Sequence, residues 1–362
     1  MLIPCIILSI CALLGFFFSK NKLVTVFLAF VVFSFFYMSE DNYDFINYEN
    51  IFEDAQHKNR FGYEIGYVYL NQLISQIGLD YMALRCFIGI LFVVILYFII
   101  GKLTNRPNIV WSAMIIFPAM FDGTLLRNSP AMAISMIALF YLLKCQSLKQ
   151  YSIPLSLFIL AALFHSSYWV MVLFIPAWIY LKKRKSFKIF LIFIAGAYIL
   201  STSISDYIFN IFSHLLVREA AIEKYQTGMY ANSTGVAYNI VKYLFILSPV
   251  LLFRNWNNST IPNTSSARDF SSGLLKLNIL FSMILIPQAL AVNFSRLFRM
   301  IVIFNYVYMA NQANKENLAL KSRLFTFSYA IILLLLAFFE SPTTLFDILY
   351  MHLSTNKFLL SI

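Results

Sequence analysis

Three arginines that interrupt apolar stretches have the side chain best suited to binding phosphate. Arg127 lies between the apolar runs 109–121 and 131–143, and Arg296 and Arg299 stand three residues apart later in the chain. A guanidinium group can donate two parallel hydrogen bonds to a phosphate, and a spacing of three places two side chains on one face of a helix. A charge at a membrane edge is kept mainly where it has a partner or a role, so these arginines predict an anion site. Each could instead be an anchor whose charged head reaches the interface.

Carboxylates and one imidazole in comparable positions could accept a proton. His165 follows the apolar run 152–164, Asp41 and Asp44 stand three residues apart beyond the second apolar run, and Glu64 lies among aromatic residues. A histidine or carboxylate near an attacking hydroxyl can act as its general base. The residues alone leave the base open among these four. A solvated acidic loop and a hydrogen-bonded histidine at a helix end would show the same residue types.

Two long polar loops carry residues that suit a sugar ligand. Tyr48 and Tyr67 belong to the first loop, residues 39–82, and Arg218 belongs to the second, residues 204–238. Tyrosine offers a sugar both an apolar ring and a hydroxyl group, so both tyrosines are candidate substrate-binding residues. Arg218 is a candidate as well, although its neighbours also fit an ordinary solvated helix face.

The composition determines which elements must position these residues. The chain has 362 residues, of which 60% are hydrophobic and only 12% charged, about half the usual charged fraction. This excess of apolar residues indicates a polytopic membrane protein. The net charge of +11 is spread over short loops between apolar runs, which argues against nucleic acid as a partner. The four cysteines lie in or beside apolar runs with no metal-type spacing, so we interpret them as small core residues.

Apolar runs of near-spanning length predict an all-α transmembrane bundle of about twelve spans, with residues 1–362 as a single integral membrane domain. The predicted spans are Leu2–Phe18, Leu23–Met38, Ala83–Leu103, Ile109–Phe121, Ala131–Leu143, Ser152–Phe164, Tyr168–Leu181, Ile189–Ser203, Asn239–Phe253, Leu274–Val292, Met300–Ala313 and Leu324–Phe339.

The charges of the loops predict the orientation. Most of the 27 lysines and arginines fall in alternate loops, including the basic run 182–185, which should therefore be cytoplasmic. Both termini and the two long loops are then extracytoplasmic. The second half of the 39–82 loop mixes aromatic and polar residues and predicts an amphipathic helix on or in the membrane surface. Residues 254–273, rich in Ser, Asn and Thr, predict a cytoplasmic linker.

Five short motifs in a fixed order resemble the EpsG family of polysaccharide-biosynthesis membrane proteins. They are Asp-x-x-x-Tyr at 44–48, Glu-x-Gly-Tyr at 64–67, Leu-Arg at 126–127, Leu-Phe-His-Ser-Ser at 163–167 and Arg-x-x-Arg at 296–299. The resemblance covers about residues 40 to 310. Members of the family look like Wzy-type polymerases of O-antigen and capsular polysaccharide.

The resemblance implies a fold and a reaction. The fold would be a GT-C-like polysaccharide polymerase architecture in the bacterial cytoplasmic membrane. A glycan would pass from its undecaprenyl diphosphate to the non-reducing end of another lipid-linked unit on the outer face, without a nucleotide sugar or metal. Arg127, Arg296 and Arg299 would hold the diphosphate, and His165 would be the first candidate for the base. The partners would be donor and acceptor lipids, membrane lipids, a chain-length regulator and a flippase.

Two other functions fit the same chemistry. A flippase or transporter for the lipid-linked glycan would carry charged residues deep within its spans and paired broken helices, whereas here the ionisable residues gather at one rim and no internal repeat is visible. A glycosyltransferase that adds a single sugar from a lipid monophosphate would use a similar outer-face site.

Overall fold

The described part of the chain is built from α-helices, as predicted. The computed structural model describes residues 2–39, 44–56, 63–183, 186–203, 233–254, 265–290, 292–312, 318–340 and 354–357. The α-helices in these ranges are α1 Leu2–Phe17, α2 Lys22–Tyr37, α3 Phe45–Gln56, α4 Ile65–Gln76, α5 Tyr81–Leu103, α6 Pro107–Ile116, α7 Ala119–Thr124, α8 Asn128–Lys144, α9 Ser152–Phe164, α10 Trp169–Val172, α11 Phe174–Lys183, α12 Ser186–Ser203, α13 Ser233–Arg254, α14 Ser265–Phe281, α15 Leu285–Leu290, α16 Phe298–Gln312 and α17 Ala319–Glu340. Short 3₁₀ helices occur at Leu148–Tyr151, Ser166–Tyr168, Ser282–Ile284 and Val292–Leu297.

Local sequence signals set where several helices begin. The Asn21 side chain accepts hydrogen bonds from the backbone N–H groups of Leu23 and Val24 at the start of α2. The Asp80 side chain accepts one from Ala83 N at the start of α5. Pro107 occupies the first turn of α6, where its missing N–H costs nothing. These caps satisfy donors that the first turn of a helix leaves unpaired.

The Cα positions group into two compact units, each made of more than one chain segment, and the prediction of a single integral membrane domain over residues 1–362 stays a prediction. Unit 1 comprises residues 1–137, 163–165 and 306–362, as far as these are described. At its centre lies α6, whose residues 108–115 are all buried. Because α6 is covered on every side, by α1, α2 and α17 among others, it forms the core of this unit.

One predicted span in unit 1 is interrupted. The apolar run 109–121 forms α6 and α7, separated at Phe117 and Pro118, and not one continuous helix. Proline has no N–H to donate and its ring clashes with the preceding turn, which is why α6 ends there. The Tyr306 hydroxyl donates to the Phe117 carbonyl at 2.9 Å, so the group freed by the break is satisfied. The short α7 that follows packs against α2 and leads into the turn containing Arg127.

The C-terminal segment 354–357 is attached to the end of α2 in the same unit. Asn356 Nδ2 donates to the carbonyl of Ser34 and to Ser39 Oγ, both at 3.2 Å. The backbone N–H of Lys357 donates to the carbonyl of Met38 at 3.0 Å. These bonds tie the last turn of α2 to residues more than 300 positions away in the sequence.

Unit 2 comprises residues 138–162 and 166–305 and is organised around buried amides. Asn278 of α14 and Asn305 of α16 bond through their side-chain amides in both directions, at 2.9 and 3.2 Å. Asn305 Nδ2 also donates to the carbonyl of Ile246 at 2.8 Å, one turn before Pro249 within α13. The predicted spans 168–181 and 274–292 are each broken in this unit, the first after Val172 and the second by the 3₁₀ helix Ser282–Ile284.

Two described helices, Tyr81–Leu103 and Ala319–Ala337, are long and apolar enough to cross a membrane by length and composition alone. Seven further apolar helices of 10–17 residues accompany them. The count of twelve spans and the GT-C-like architecture therefore stay predictions.

Most of the 204–238 loop lies outside the described residues, and a helix begins at Ser265 within the segment predicted as a linker. Helix α4 occupies the position predicted for the amphipathic helix.

Candidate functional site

Arg127 and Glu64 form an ion pair in unit 1. Arg127 Nη1 lies 2.8 Å from Glu64 Oε2, and the two side chains are 28% and 14% exposed. Because both groups are mostly removed from water, their attraction is stronger than that of a surface pair, and each would be costly to leave alone. Two residues 63 positions apart, both singled out by sequence, are thus brought together.

Tyrosine rings surround the guanidinium group of Arg127. Its Cζ atom lies 5.6 Å from the centre of the Tyr63 ring and 5.9 Å from that of Tyr48. The Tyr48 ring in turn meets the Tyr67 ring edge to face at 6.1 Å. A cation within about 6 Å of an aromatic face is attracted by the ring's electrons. The candidate sugar-binding tyrosines Tyr48 and Tyr67 therefore lie beside the candidate phosphate-binding arginine.

Glu64 is held in place by the start of α4. It is extended, with φ −64° and ψ 134°, and its carbonyl accepts the first hydrogen bond of the helix from Val68 N at 3.0 Å. Its side chain makes no capping bond to α4, so the carboxylate is available to Arg127. Two residues later, a Cβ on Gly66 would lie 2.8 Å from the carbonyl oxygen of Leu163. Only glycine permits this close approach of α4 to the end of α9.

His165 lies two residues after Leu163, the residue that Gly66 approaches. It lies between α9 and the 3₁₀ helix Ser166–Tyr168, and it is 8% exposed. The approach of Gly66 to Leu163 places His165 two residues from a contact with the helix that Glu64 begins. Glu64, Arg127 and His165 thus belong to one unit. The role of His165 as general base stays a prediction.

The turn that carries Arg127 is fixed by its neighbours. The carbonyl of Asp122 accepts hydrogen bonds from Leu125 N at 3.2 Å and from Ser129 Oγ at 2.7 Å, which brace the turn from both sides. A Cβ on Gly123 would meet the carbonyl oxygen of Phe35 at 2.7 Å, so α7 lies tightly against α2. The aim of the guanidinium group is thereby set by backbone contacts.

Arg127 keeps a donor that the protein does not use. Its Nε atom is buried and has no hydrogen-bond acceptor among the described residues. Burial lowers the pKa of this guanidinium, but the neighbouring Tyr48 and Glu64 raise it by more, so the net pKa lies above its ordinary value. The group is a permanent cation with one free N–H, which suits an anionic ligand.

Arg85 is a buried cation that the sequence analysis missed. It is fully buried in the second turn of α5, and its Nε and Nη2 atoms donate to the carbonyls of Phe36 and Ser39 at 2.8 and 2.7 Å. Its Cζ atom lies 4.8 Å from the Phe45 ring. It therefore joins the end of α2 to the start of α3. An arginine inside an apolar run was the available signal.

Of the two predicted aspartates, the structure describes Asp44. Asp44 is half-buried directly before α3, and its carbonyl accepts a hydrogen bond from Tyr48 N at 3.0 Å. Asp41 lies outside the described residues, and so does Arg218 of the second loop. Their predicted roles stay predictions.

Arg296 and Arg299 belong to unit 2. Arg296 lies in the 3₁₀ helix Val292–Leu297 and Arg299 in the first turn of α16, and both side chains are half-buried. The ring of Phe298, between them, packs against Tyr243 of α13 at 5.1 Å. The predicted convergence of these two arginines with Arg127 on one ligand stays a prediction.

The helical architecture and the composition are consistent with a helical membrane protein, and the Arg127–Glu64 pair brings together two of the residues that the sequence analysis selected. A comparison with family models then identifies the group to which it belongs: the chain matches the model of the EpsG family over residues 23–351 and is a member of that family. All five motifs of the resemblance fall within the matched region, and membership suggests a polysaccharide-polymerase-like function. No curated protein and no solved structure matched the chain.

Proposed function

We propose that the protein is a polysaccharide polymerase that joins undecaprenyl-diphosphate-linked repeat units on the outer face of the bacterial cytoplasmic membrane. The observation that carries the proposal is the partly buried pair of Arg127 and Glu64, enclosed by tyrosine rings. A cation for a diphosphate, a carboxylate and aromatic surfaces for a sugar are the groups this reaction requires. The proposal includes about twelve spans, a GT-C-like architecture and extracytoplasmic termini.

The reaction is a glycosyl transfer between two lipid-linked sugars. The bond between the anomeric carbon of the donor glycan and its diphosphate oxygen breaks, and a bond forms from the acceptor hydroxyl oxygen to that carbon. The hydroxyl proton passes to a base, and undecaprenyl diphosphate leaves with the bonding electrons. The donor carries its own leaving group, so the reaction needs no nucleotide sugar. Guanidinium groups would stabilise the negative charge that grows on the leaving oxygen.

The ion pair suggests how the donor diphosphate would bind, namely by replacing Glu64 as the partner of Arg127. Glu64 Oε2 already accepts a hydrogen bond from Arg127 Nη1, and a diphosphate would compete for the N–H donors of this guanidinium group. A diphosphate carries more negative charge than a carboxylate and can also use Nε. Exchange of the partner would release Glu64 next to the reacting sugars, where it could accept the proton. Glu64, one of the predicted bases, contacts Arg127 directly.

The other predicted residues keep the roles given by the resemblance. His165, Asp41 and Asp44 are alternative bases or ligands, and Arg296 and Arg299 are diphosphate ligands. Tyr48, Tyr67 and Arg218 would contact the sugars. A chain-length regulator and a flippase are proposed protein partners. O-antigen and capsular polysaccharide are both compatible products.

Complementation of a deletion strain tests the proposal. Wild-type protein should restore a ladder of long glycan chains on a gel, whereas Arg127→Ala and His165→Ala should leave single units at normal expression. Lys20→Ala, an exposed cation of unit 1, is the matched control and should restore the full ladder. Normal ladders from both variants would remove those two residues from the site.

The lipid intermediates of the deletion strain separate the three functions. A polymerase defect leaves lipid-linked single units on the outer leaflet. Accumulation on the inner leaflet would identify a flippase instead. A product extended by one sugar, in place of a ladder, would identify a single-addition glycosyltransferase.

A further inference from the structure

Two consecutive residues of unit 1, Tyr63 and Glu64, both approach the guanidinium group of Arg127. The centre of the Tyr63 ring lies 5.6 Å from Arg127 Cζ, and Glu64 Oε2 lies 2.8 Å from Arg127 Nη1. The sequence analysis selected Glu64 but not Tyr63. The Tyr63 ring therefore borders the group that is proposed to bind the diphosphate.

The tyrosines around Arg127 differ in how much of each ring a ligand can reach. Tyr48 is 6% exposed and Tyr67 is fully buried, whereas Tyr63 is only half-buried. A sugar can pack only on ring surface that is open to it. Tyr63 therefore offers aromatic surface beside Arg127 without any movement of the protein, whereas a contact with Tyr48 or Tyr67 requires a movement that uncovers the ring.

The chemistry of the proposed donor determines which part of it would meet this ring. Its first sugar is bonded directly to the diphosphate, so a group that binds the diphosphate also sets the position of that sugar. A sugar presents C–H groups and hydroxyls, and tyrosine offers an apolar ring for the first and a hydroxyl for the second. A diphosphate that replaces Glu64 on Arg127 would thus bring its first sugar beside Tyr63.

We propose that Tyr63 recognises the sugar attached directly to the diphosphate by packing its ring against that sugar. This inference rests on the proposed function and adds a specificity-determining residue to its substrate site. Selection would then act on the first sugar of the repeat unit, at the point where Arg127 holds the leaving group.

Binding of two probes by full-length purified variants tests the inference. The probes are undecaprenyl diphosphate, which carries no sugar, and the lipid-linked repeat unit extracted from the deletion strain. Tyr63→Leu should bind undecaprenyl diphosphate within about fivefold of wild type, since Arg127 loses only one ring contact. Binding of the glycan-bearing probe should fall about tenfold further, because the sugar loses the ring on which it packs. Tyr63→Phe, which keeps the ring, should bind both probes within about threefold of wild type.

The controls separate failure of this inference from failure of the proposed function. Tyr69→Leu removes an exposed ring of α4 and should bind both probes like wild type. Binding is compared on monodisperse protein with a matched thermal unfolding curve, and Tyr63→Met is the second non-aromatic variant if Tyr63→Leu does not fold. Affinities for the two probes that fall by the same factor, or that do not fall, would overturn the inference and leave the proposed function intact. Absence of binding by the wild type would overturn both.

Discussion

The position of a Cβ on Gly66 lies 2.8 Å from the carbonyl oxygen of Leu163, so one absent methyl group lets α4 meet the end of α9. This contact positions Glu64 and His165 at once. Gly66→Ala should destabilise the protein by about 1–3 kcal/mol, because backbone atoms must move apart. Thermal unfolding and glycan chain length would both report the change. Gly101→Ala, whose Cβ would meet open space in α5, is the matched control, and equal behaviour of the two variants would contradict the argument.

Removing the charge of Glu64 should separate binding from turnover. In Glu64→Gln the guanidinium group of Arg127 loses its competing carboxylate, so the affinity for undecaprenyl diphosphate should equal or exceed that of wild type. Polymerisation should fall by roughly 10²-fold or more if the carboxylate accepts the proton. Binding and initial rates on purified protein measure the two effects. Glu53→Gln, an exposed carboxylate of α3, should change neither. Weaker binding together with a wild-type rate would exclude the exchange of partners.

Replacing Arg85 should lower the free energy of unfolding more than replacing Lys102, another basic residue of α5. Arg85→Met removes two hydrogen bonds to backbone carbonyls and should lower the free energy of unfolding by about 2 kcal/mol. Arg85→Lys should recover part of this loss, since an ammonium group can reach one carbonyl. Denaturation in detergent would give the values. Lys102→Met, at the exposed end of the same helix, serves as the comparison and should cost little. A larger loss there would show that charge on α5 in general is stabilising.

The losses of stability from replacing Asn278 and Asn305 should be coupled. Either Asn→Leu substitution alone leaves a buried amide with fewer partners, whereas the double substitution removes both. The loss in the double variant should therefore be smaller than the sum of the two single losses, by about 1–2 kcal/mol. A double-mutant cycle from thermal or chemical denaturation measures this coupling. Strict additivity would mean that the two amides act independently.

The helices could be predicted from apolar runs, because a backbone surrounded by apolar side chains must satisfy its hydrogen bonds internally. Their interruptions were harder to place. The break at Pro118 has a sequence signal, whereas the 3₁₀ helix Ser282–Ile284 has none of comparable strength. Helix α3 was missed because its sequence is polar and acidic and is stabilised by packing on α4. The division of the contacts into two compact units has no sequence signal either, since long-range packing leaves no local pattern.

Part of the candidate site could be predicted from the sequence, because charged residues are conspicuous in an apolar chain. Arg127 and Glu64 were selected because charged residues stand out against apolar neighbours, and the structure pairs them. Arg85 is equally charged, but it lies inside the apolar run 83–103, which predicts a span. The partners of Arg85 are backbone carbonyls, which any residue provides, so no sequence pattern reveals the contact.

The attachment of Asn356 to Ser34 and Ser39 has a consequence for genetics. A nonsense allele that stops translation between residues 300 and 353 would preserve all five motifs, yet α2 would lose the amide that binds its last turn. Such alleles should appear among the strains that make only short glycans, side by side with missense alleles at Arg127, although the lesions are far apart in the gene.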